Sequence, residues 1–520
     1  MTNNKVIQKL LTTASVVFIF IAIVPFVFIG YTFFGVSWST FVETFAYYQD
    51  QITTTVSLSV MTGIASLILS LTVLIALMNL PSVIRKITTA FLIVPLLFPP
   101  YIAAISYIDI FKSPFALSLM GRSSFIEFVQ AVFVLSLFLF PYSFLLIKNR
   151  LEMLDPTHRK IMSLYKWKLF DKIRLLYLPH LKGALLGGFI IPFLYVVSDF
   201  GAVSILRMDT VTIELYQSMV RRFEYVEGAI LSLILLGISS LALIAGSHMS
   251  SHPVQSLRKD EATEVQFKRR NPGFLISVVF IAVVLIVSVG VPLAQIGSWF
   301  IQFVRENSVL KDIWFDFSMF HTVILTSIII SLMAVALTQL TAFIVLLTHI
   351  FVRESVIVKS IYFITALLYA LPAIVIAFSV LVFKYVTPYA ISYALLFMLF
   401  AYVLRFVGIA IITSSAAVET IPKAYLRIGS TFIPGIGDIV RIVILPYLKK
   451  YLFQSGNYIY FLSLRELTIP LILLPVGMNV LSVRIWQTAS EGMYVYASPL
   501  ILVLLLLSLP SLIWYIKNQL

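Results

Sequence analysis

The chain has 520 residues, of which 60% are apolar and only 12% charged, with an excess of 14 positive charges and no cysteine. That balance excludes a soluble globular fold of this length, and the absence of thiols excludes disulfides, thiolate metal sites and iron–sulfur clusters. Charge-poor runs of about 20 residues recur without alternate-residue patterning, which suits helices crossing a hydrocarbon core of about 30 Å and not a β-barrel.

The first apolar run, residues 11–33, follows Lys5 and Lys9, and no small-residue cleavage site comes after it, so it reads as an uncleaved first span. Further spans are expected at 53–78, 88–111, 125–147, 181–205 and 228–246. The polar segment 247–272 divides the chain, and its His248 and His252, beside Pro253, read as solvated linker residues. Beyond it, spans are expected at 273–300, 319–348, 356–383, 389–413, 448–475 and 496–516. With both termini placed in the cytoplasm, most of the 37 Lys and Arg residues fall in cytoplasmic segments. The net charge is thus a topology signal, the positive-inside bias, and calls for no nucleic-acid partner.

Two basic islands repeat at an offset of 267 positions: Glu152 with Glu419, Asp171 with Asp438, Arg174 with Arg441, and Leu178-Pro179 with Leu445-Pro446. The same offset pairs Thr55-Val56 with Thr322-Val323 upstream, and Asp199 with Glu466 downstream. The expectation is an all-α polytopic membrane protein of about twelve transmembrane helices in two parallel six-helix repeats, residues 1–246 and 273–520. Each island carries an apolar stripe at helical spacing: Leu154, His158, Ile161 and Tyr165 in the first, Ile421, Tyr425, Ile428 and Phe432 in the second. Pro156 and Pro422 fall where a first helical turn tolerates proline. Such a helix under the membrane could rest on lipid or dock into a partner's groove, and two symmetric copies favour a dimeric cytoplasmic partner.

These loops, with their length, their stripe and the Leu-Pro before the fifth span of each half, resemble those of a fused binding-protein-dependent ABC importer permease with MetI-like halves. In that family the loop carries the "EAA" motif and forms a coupling helix seated in a cleft of the ATPase; the motif's glycine is Lys166 in the first half and Ile433 in the second. "SDFGAVSIL" (Ser198 to Leu206), "RELTIPLILLP" (Arg465 to Pro475) and "LSVRIWQTASEGMYVYAS" (Leu481 to Ser498) are similar to segments of the iron(III) branch. Thiamine, phosphonate and polyamine permeases share the framework. The resemblance implies a bacterial inner-membrane permease subunit that works with two copies of an ATP-binding subunit and an extracytoplasmic iron(III)-binding protein. No phosphate-binding G-x-x-x-x-G-K-[ST] occurs here, so this chain is expected to bind no cofactor itself, with ATP and Mg on the partner subunit.

Ionisable residues inside apolar spans are costly and mark pathways or ion pairs. They are Asp109, Asp199, Arg405, Arg465 and Glu466. Asp199 and Glu466 are expected near the outer ends of their spans, where two carboxylates could meet a hard cation or instead pair with Arg465 or Arg405. Tyr107 and Tyr195, and His321 and His349, read as interfacial residues. Rival classes are an ion-coupled secondary transporter, with midplane sites in broken helices, and an intramembrane enzyme, for which no catalytic cluster stands out.

Overall fold

The computed structural model describes residues 2–34, 36–114, 118, 121, 123–152, 178–249, 273–306, 310–352, 356–386, 393–422, 424–426, 432–433 and 435–519. Among these residues the chain is helical, with turns and no strand. The first half runs α1 (Thr2–Phe34), α2 (Trp38–Tyr47), α3 (Gln49–Met78), α4 (Ser82–Ile93), α5 (Pro100–Phe111), α6 (Ser124–Glu152), α7 (Leu178–Ser198), α8 (Gly201–Ile205), α9 (Val211–Tyr216) and α10 (Tyr225–Met249). The second half runs α11 (Gly273–Leu285), α12 (Val291–Glu306), α13 (Leu310–Val352), α14 (Val356–Ala370), α15 (Ala373–Val386), α16 (Ala394–Thr420), α17 (Leu445–Arg465), α18 (Thr468–Leu473), α19 (Leu481–Ser490) and α20 (Tyr494–Gln519).

Among the described residues nine helical stretches are long and apolar enough to cross a membrane, or up to eleven if two bent pairs each count as one span. The remaining expected span, α17, has 21 residues but carries Lys449, Lys450 and Arg465. The bends are corrections to the straight spans expected at 88–111 and 356–383: the chain turns by 86° before α5 and by 107° between α14 and α15. Pro99-Pro100 and Pro372 sit at the breaks, where proline removes an N–H and forces the preceding residue out of helical geometry. The expected spans 181–205 and 448–475 are also broken, α7 ending at Ser198 and α17 at Arg465.

Apolar side chains gain little by leaving lipid for one another, so helix association in a membrane relies on close packing and hydrogen bonds. α3 supplies both along one stripe of small buried residues, Ser59, Gly63, Ser66 and Ser70. A Cβ on Gly63 would lie 2.8 Å from the Phe189 ring of α7. Ser66 and Ser70 donate to the Ser136 and Phe140 carbonyls of α6 at 3.4 and 2.9 Å. α3, α6 and α7 thereby form a packed trio. The second half builds the matching trio from α13, α16 and α17, with Ser327, Ser331 and Thr338 buried on α13.

The two halves also share a hydrogen-bond pattern. Val211 N donates to Thr55 Oγ1 at 2.9 Å and Thr212 Oγ1 to the Asp199 carbonyl at 2.9 Å. In the second half Leu481 N donates to Ser327 Oγ at 2.8 Å and Ser482 Oγ to the Glu466 carbonyl at 2.7 Å. The residue in the role of Thr55 is therefore Ser327 and not the expected Thr322, because connections of unequal length shift the register outside the segment where 267 holds.

Each half lends its first helix to the other. α1 packs on α13, α14 and α15, with Ser15 Oγ 2.7 Å from Thr348 Oγ1 and Ser379 Oγ donating to the Pro25 carbonyl at 3.3 Å. In return α11 packs on α3 and α12 on α5; Asn79 Nδ2 donates to Ser277 Oγ at 2.9 Å, and the Tyr107 hydroxyl to the Val287 carbonyl.

Candidate functional site

Asp199 and Glu466 stand where α7 and α17 stop. Asp199 Oδ2 accepts from Ala202 N at 2.8 Å and Val203 N at 3.1 Å, and Glu466 Oε1 accepts from Thr468 N at 3.2 Å. Each acid therefore opens a new short helix, α8 or α18, by satisfying backbone N–H groups that have no partner within the helix. The two breaks abut: a Cβ on Gly201 would lie 2.8 Å from Leu467 and 3.0 Å from the Tyr101 Cβ. Only a residue without a side chain lets the two segments approach this closely. Trp486 Nε1 donates to Ser204 Oγ at 2.9 Å, and its ring lies 5.5 Å from that of Phe200, adding a second tie between the halves at this place.

Around the paired breaks lies a cavity of about 180 Å³, several times the roughly 15 Å³ that one water needs. Four of the five expected intramembrane charges line it: Asp199, Arg405, Arg465 and Glu466. Tyr101, Tyr142, Tyr195, Tyr369 and Tyr458 add phenol groups to the wall. The face is lined from both halves at equivalent positions, by Ile191, Leu194, Tyr195 and Ser198 of α7 and by Tyr458, Leu462 and Arg465 of α17.

Among the described residues no ion pair within 4.0 Å joins Glu466 to Arg465 or Arg405, the pairing offered as an alternative for these charges. The ion pairs among the described residues are Lys148 with Glu152, and Arg222 with Glu214, Glu224 and Glu227. Arg405 instead donates Nη1 to the Leu371 carbonyl at 2.7 Å, pairing a backbone group at the α14–α15 break. Arg465 lies over the Phe461 ring, Cζ 4.4 Å from its centroid, and its Nε and Nη1 are buried with no hydrogen-bond partner among the described residues. The buried Tyr101 hydroxyl has none either. A guanidinium and a phenol in this condition are donors waiting for a polar guest or water.

No group of three His, Cys, Asp or Glu suited to a metal ion occurs among the described residues, so Asp199 and Glu466 meet no third such ligand there. Asp109, on α5, is not part of the cavity wall, and Tyr107 packs against Phe133 and Phe138. Tyr195, expected at the interface, lines the cavity instead and stacks on Tyr142 at 6.4 Å. Tyr101, Tyr142, Tyr369 and Tyr458 were missed in the sequence: Tyr101 and Tyr458 share spans with Asp109 and Arg465, whereas Tyr142 and Tyr369 lie in spans that hold none of the five charges and gave no signal.

At the other ends of α7 and α17, about 31 Å away at 1.5 Å per residue, stand Pro179 and Pro446, both exposed. Leu154, His158, Ile161, Tyr165 and Ile428 lie outside the described residues. Ile421 does not share the exposed stripe: α16 ends at Thr420, Ile421 turns extended before Pro422, and its side chain is buried in a small core with Leu347, Ile350, Ala417 and Leu448. Tyr425 and Phe432 are exposed, at 51% and 79%.

The chain is similar to a curated protein, the Fe(3+)-transport system permease protein FbpB 2 of Haemophilus influenzae, at 25% identity over 382 residues, which is 72% of this chain and 73% of the relative. The likeness supports an iron(III)-type ABC permease. The aligned stretch is longer than either half, so it reaches into both. No family model and no solved structure matches the chain.

Proposed function

We propose that this protein is the membrane-spanning permease subunit of an ABC importer that moves iron(III), handed over by an extracytoplasmic binding protein, into the cytoplasm. The observation that carries the reading is the convergence of Asp199, Glu466, Arg405 and Arg465 on one cavity between the halves. Charges held inside a membrane protein are expensive and are retained where something polar passes. Carboxylate and phenol oxygens are hard donors, compatible with a hard trivalent cation, and the similarity to an iron permease points the same way.

In this reading the chain is two six-helix halves, residues 1–246 and 273–520, joined by a cytoplasmic linker, with both termini in the cytoplasm of a bacterial inner membrane. ATP and Mg belong to two copies of a partner ATPase. The exposed Tyr425 and Phe432 contribute to the surface that the ATPase grips, and α7 and α17 run as rods from those loops to the cavity. Movement of the loops is thereby delivered at the acids.

The test is uptake of radioactive ferric iron by the assembled complex, with Asp199→Asn and Glu466→Gln compared with the parent. The amides keep the shape and can still accept from the short-helix N–H groups, so assembly persists while uptake per complex falls. Unchanged specific uptake in both variants overturns the cavity's role. Transport of thiamine, a phosphonate or a polyamine in place of iron keeps the permease and removes the metal.

A further inference from the structure

A second cavity, of about 280 Å³, adjoins the first, and Tyr142 and Tyr458 line both. Its other polar walls are Thr413, Gln454, Asn457, Ser511, Trp514 and Tyr515, all from the second half, and among the described residues no side chain lining it carries a formal charge. The α17 residues that touch one cavity or the other are Gln454, Asn457, Tyr458, Phe461, Leu462 and Arg465. Their spacing of i, i+3, i+4, i+7, i+8 and i+11 is a single helix face. That face extends about 17 Å, from the acids back towards the start of α17.

α7 behaves differently. Its Ile191, Leu194, Tyr195 and Ser198 line the first cavity, but the next positions of the same face, Gly187 and Ile190, line neither. Ile190 is buried, and a Cβ on Gly187 would already touch Leu146 at 3.4 Å. Where α17 is polar and open, α7 is small, apolar and packed.

We propose that the transported ion leaves the first cavity through the second along this face of α17, with Tyr142 and Tyr458 as the partition between them. The route is shared by both halves at its entry and then runs against polar groups drawn almost wholly from the second half. The proposal rests on the import reading above. Its chemistry suits an ion that keeps an oxygen shell: neutral amides and hydroxyls replace water around it one at a time. A wall of carboxylates would hold a trivalent cation too tightly to let it go, whereas conduction needs sites weak enough to leave.

The absence of cysteine makes the test direct, since single cysteines need no background removed. Gln454→Cys and Asn457→Cys are compared with Gly187→Cys, Ile190→Cys and the off-face Phe453→Cys, in the full complex turning over ATP, using a small charged methanethiosulfonate that does not cross membranes. Thr413→Cys and Ser511→Cys, on the facing helices, repeat the measurement should an α17 variant not assemble. The expected result is reaction at 454, 457, 413 and 511, none at 187, 190 or 453, and slowing by ferric iron at the reactive positions. Reaction at 454 and 457 that iron leaves unchanged supports the route and counts against iron as the cargo. Equal reaction on α7 and α17, or none at 454, 457, 413 and 511 while Ser198→Cys reacts, overturns the route.

Discussion

Arg207 and Phe223 hold left-handed backbone, at φ 56° and 59°, a conformation that costs a residue with a Cβ about 1 kcal/mol. The corresponding turns of the second half are made by Gly477 and Gly492, at φ 87° and 81°. One turn geometry is therefore met with glycine in one half and with strain in the other. No atom lies within 4 Å of where a Gly477 Cβ would sit, so Gly477→Ala should lower the melting temperature in detergent by the backbone term alone, while Arg207→Gly should leave it unchanged or raise it. A fall for Arg207→Gly would mean that its side chain makes a contact worth more than the strain. Arg465 is the sharper case. With Nε and Nη1 buried and unpartnered, Arg465→Leu should stabilise the folded chain by removing a poorly solvated charge, while uptake per complex drops. A lower melting temperature with full uptake would make Arg465 a structural residue.

The elements carry their own test at the loop end. Phe432 is exposed, so Phe432→Asp should leave the melting temperature alone yet lose co-purification with the ATPase and ATP-driven uptake. Ile421→Asp should do the opposite, lowering stability first, because it places a carboxylate in the small core around Leu448. Normal ATPase binding by Phe432→Asp would remove that aromatic from the docking surface. How legible these elements were in the sequence depended on distance from the repeat's best segment. Apolar runs located the spans, and the offset paired Asp199 with Glu466, whose equivalent settings the structure displays. The bends at Pro99-Pro100 and Pro372 escaped because each pair of short helices reads as one continuous apolar run. Ile421 was misplaced because helical spacing continued through Pro422, where the backbone does not. Thr55 was paired wrongly because small hydroxyl residues are frequent in these spans and a single offset cannot follow connections of unequal length. The second cavity had no charge to betray it: Gln454 and Asn457 become a pathway only when Tyr142 and Ser511 are seen opposite them.

At the scale of the whole molecule, the exchanged first helices make the halves interdependent. Removing residues 1–34 should weaken the second half more than the first, since α1 packs on α13, α14 and α15. Limited proteolysis reads this directly: cleavage should rise in 310–386 before it rises within α3 or α6. Chains 1–246 and 273–520 expressed together should co-purify, whereas each alone should be degraded. Stable, protease-resistant accumulation of either piece by itself would show that the exchange is dispensable.

That exchange also sets a clock on biogenesis. Ser15 and Thr348 are 333 residues apart, and at about 5–20 residues per second α1 is in the bilayer for roughly 15–70 s before its permanent neighbour is synthesised. During that wait α1 has only α10 and lipid to pack on, and the Ser15 hydroxyl is without its Thr348 partner. A helix made 333 residues before its partner is thus late to reach its final contacts, so a ribosome pause before α13 should be more damaging than one after it.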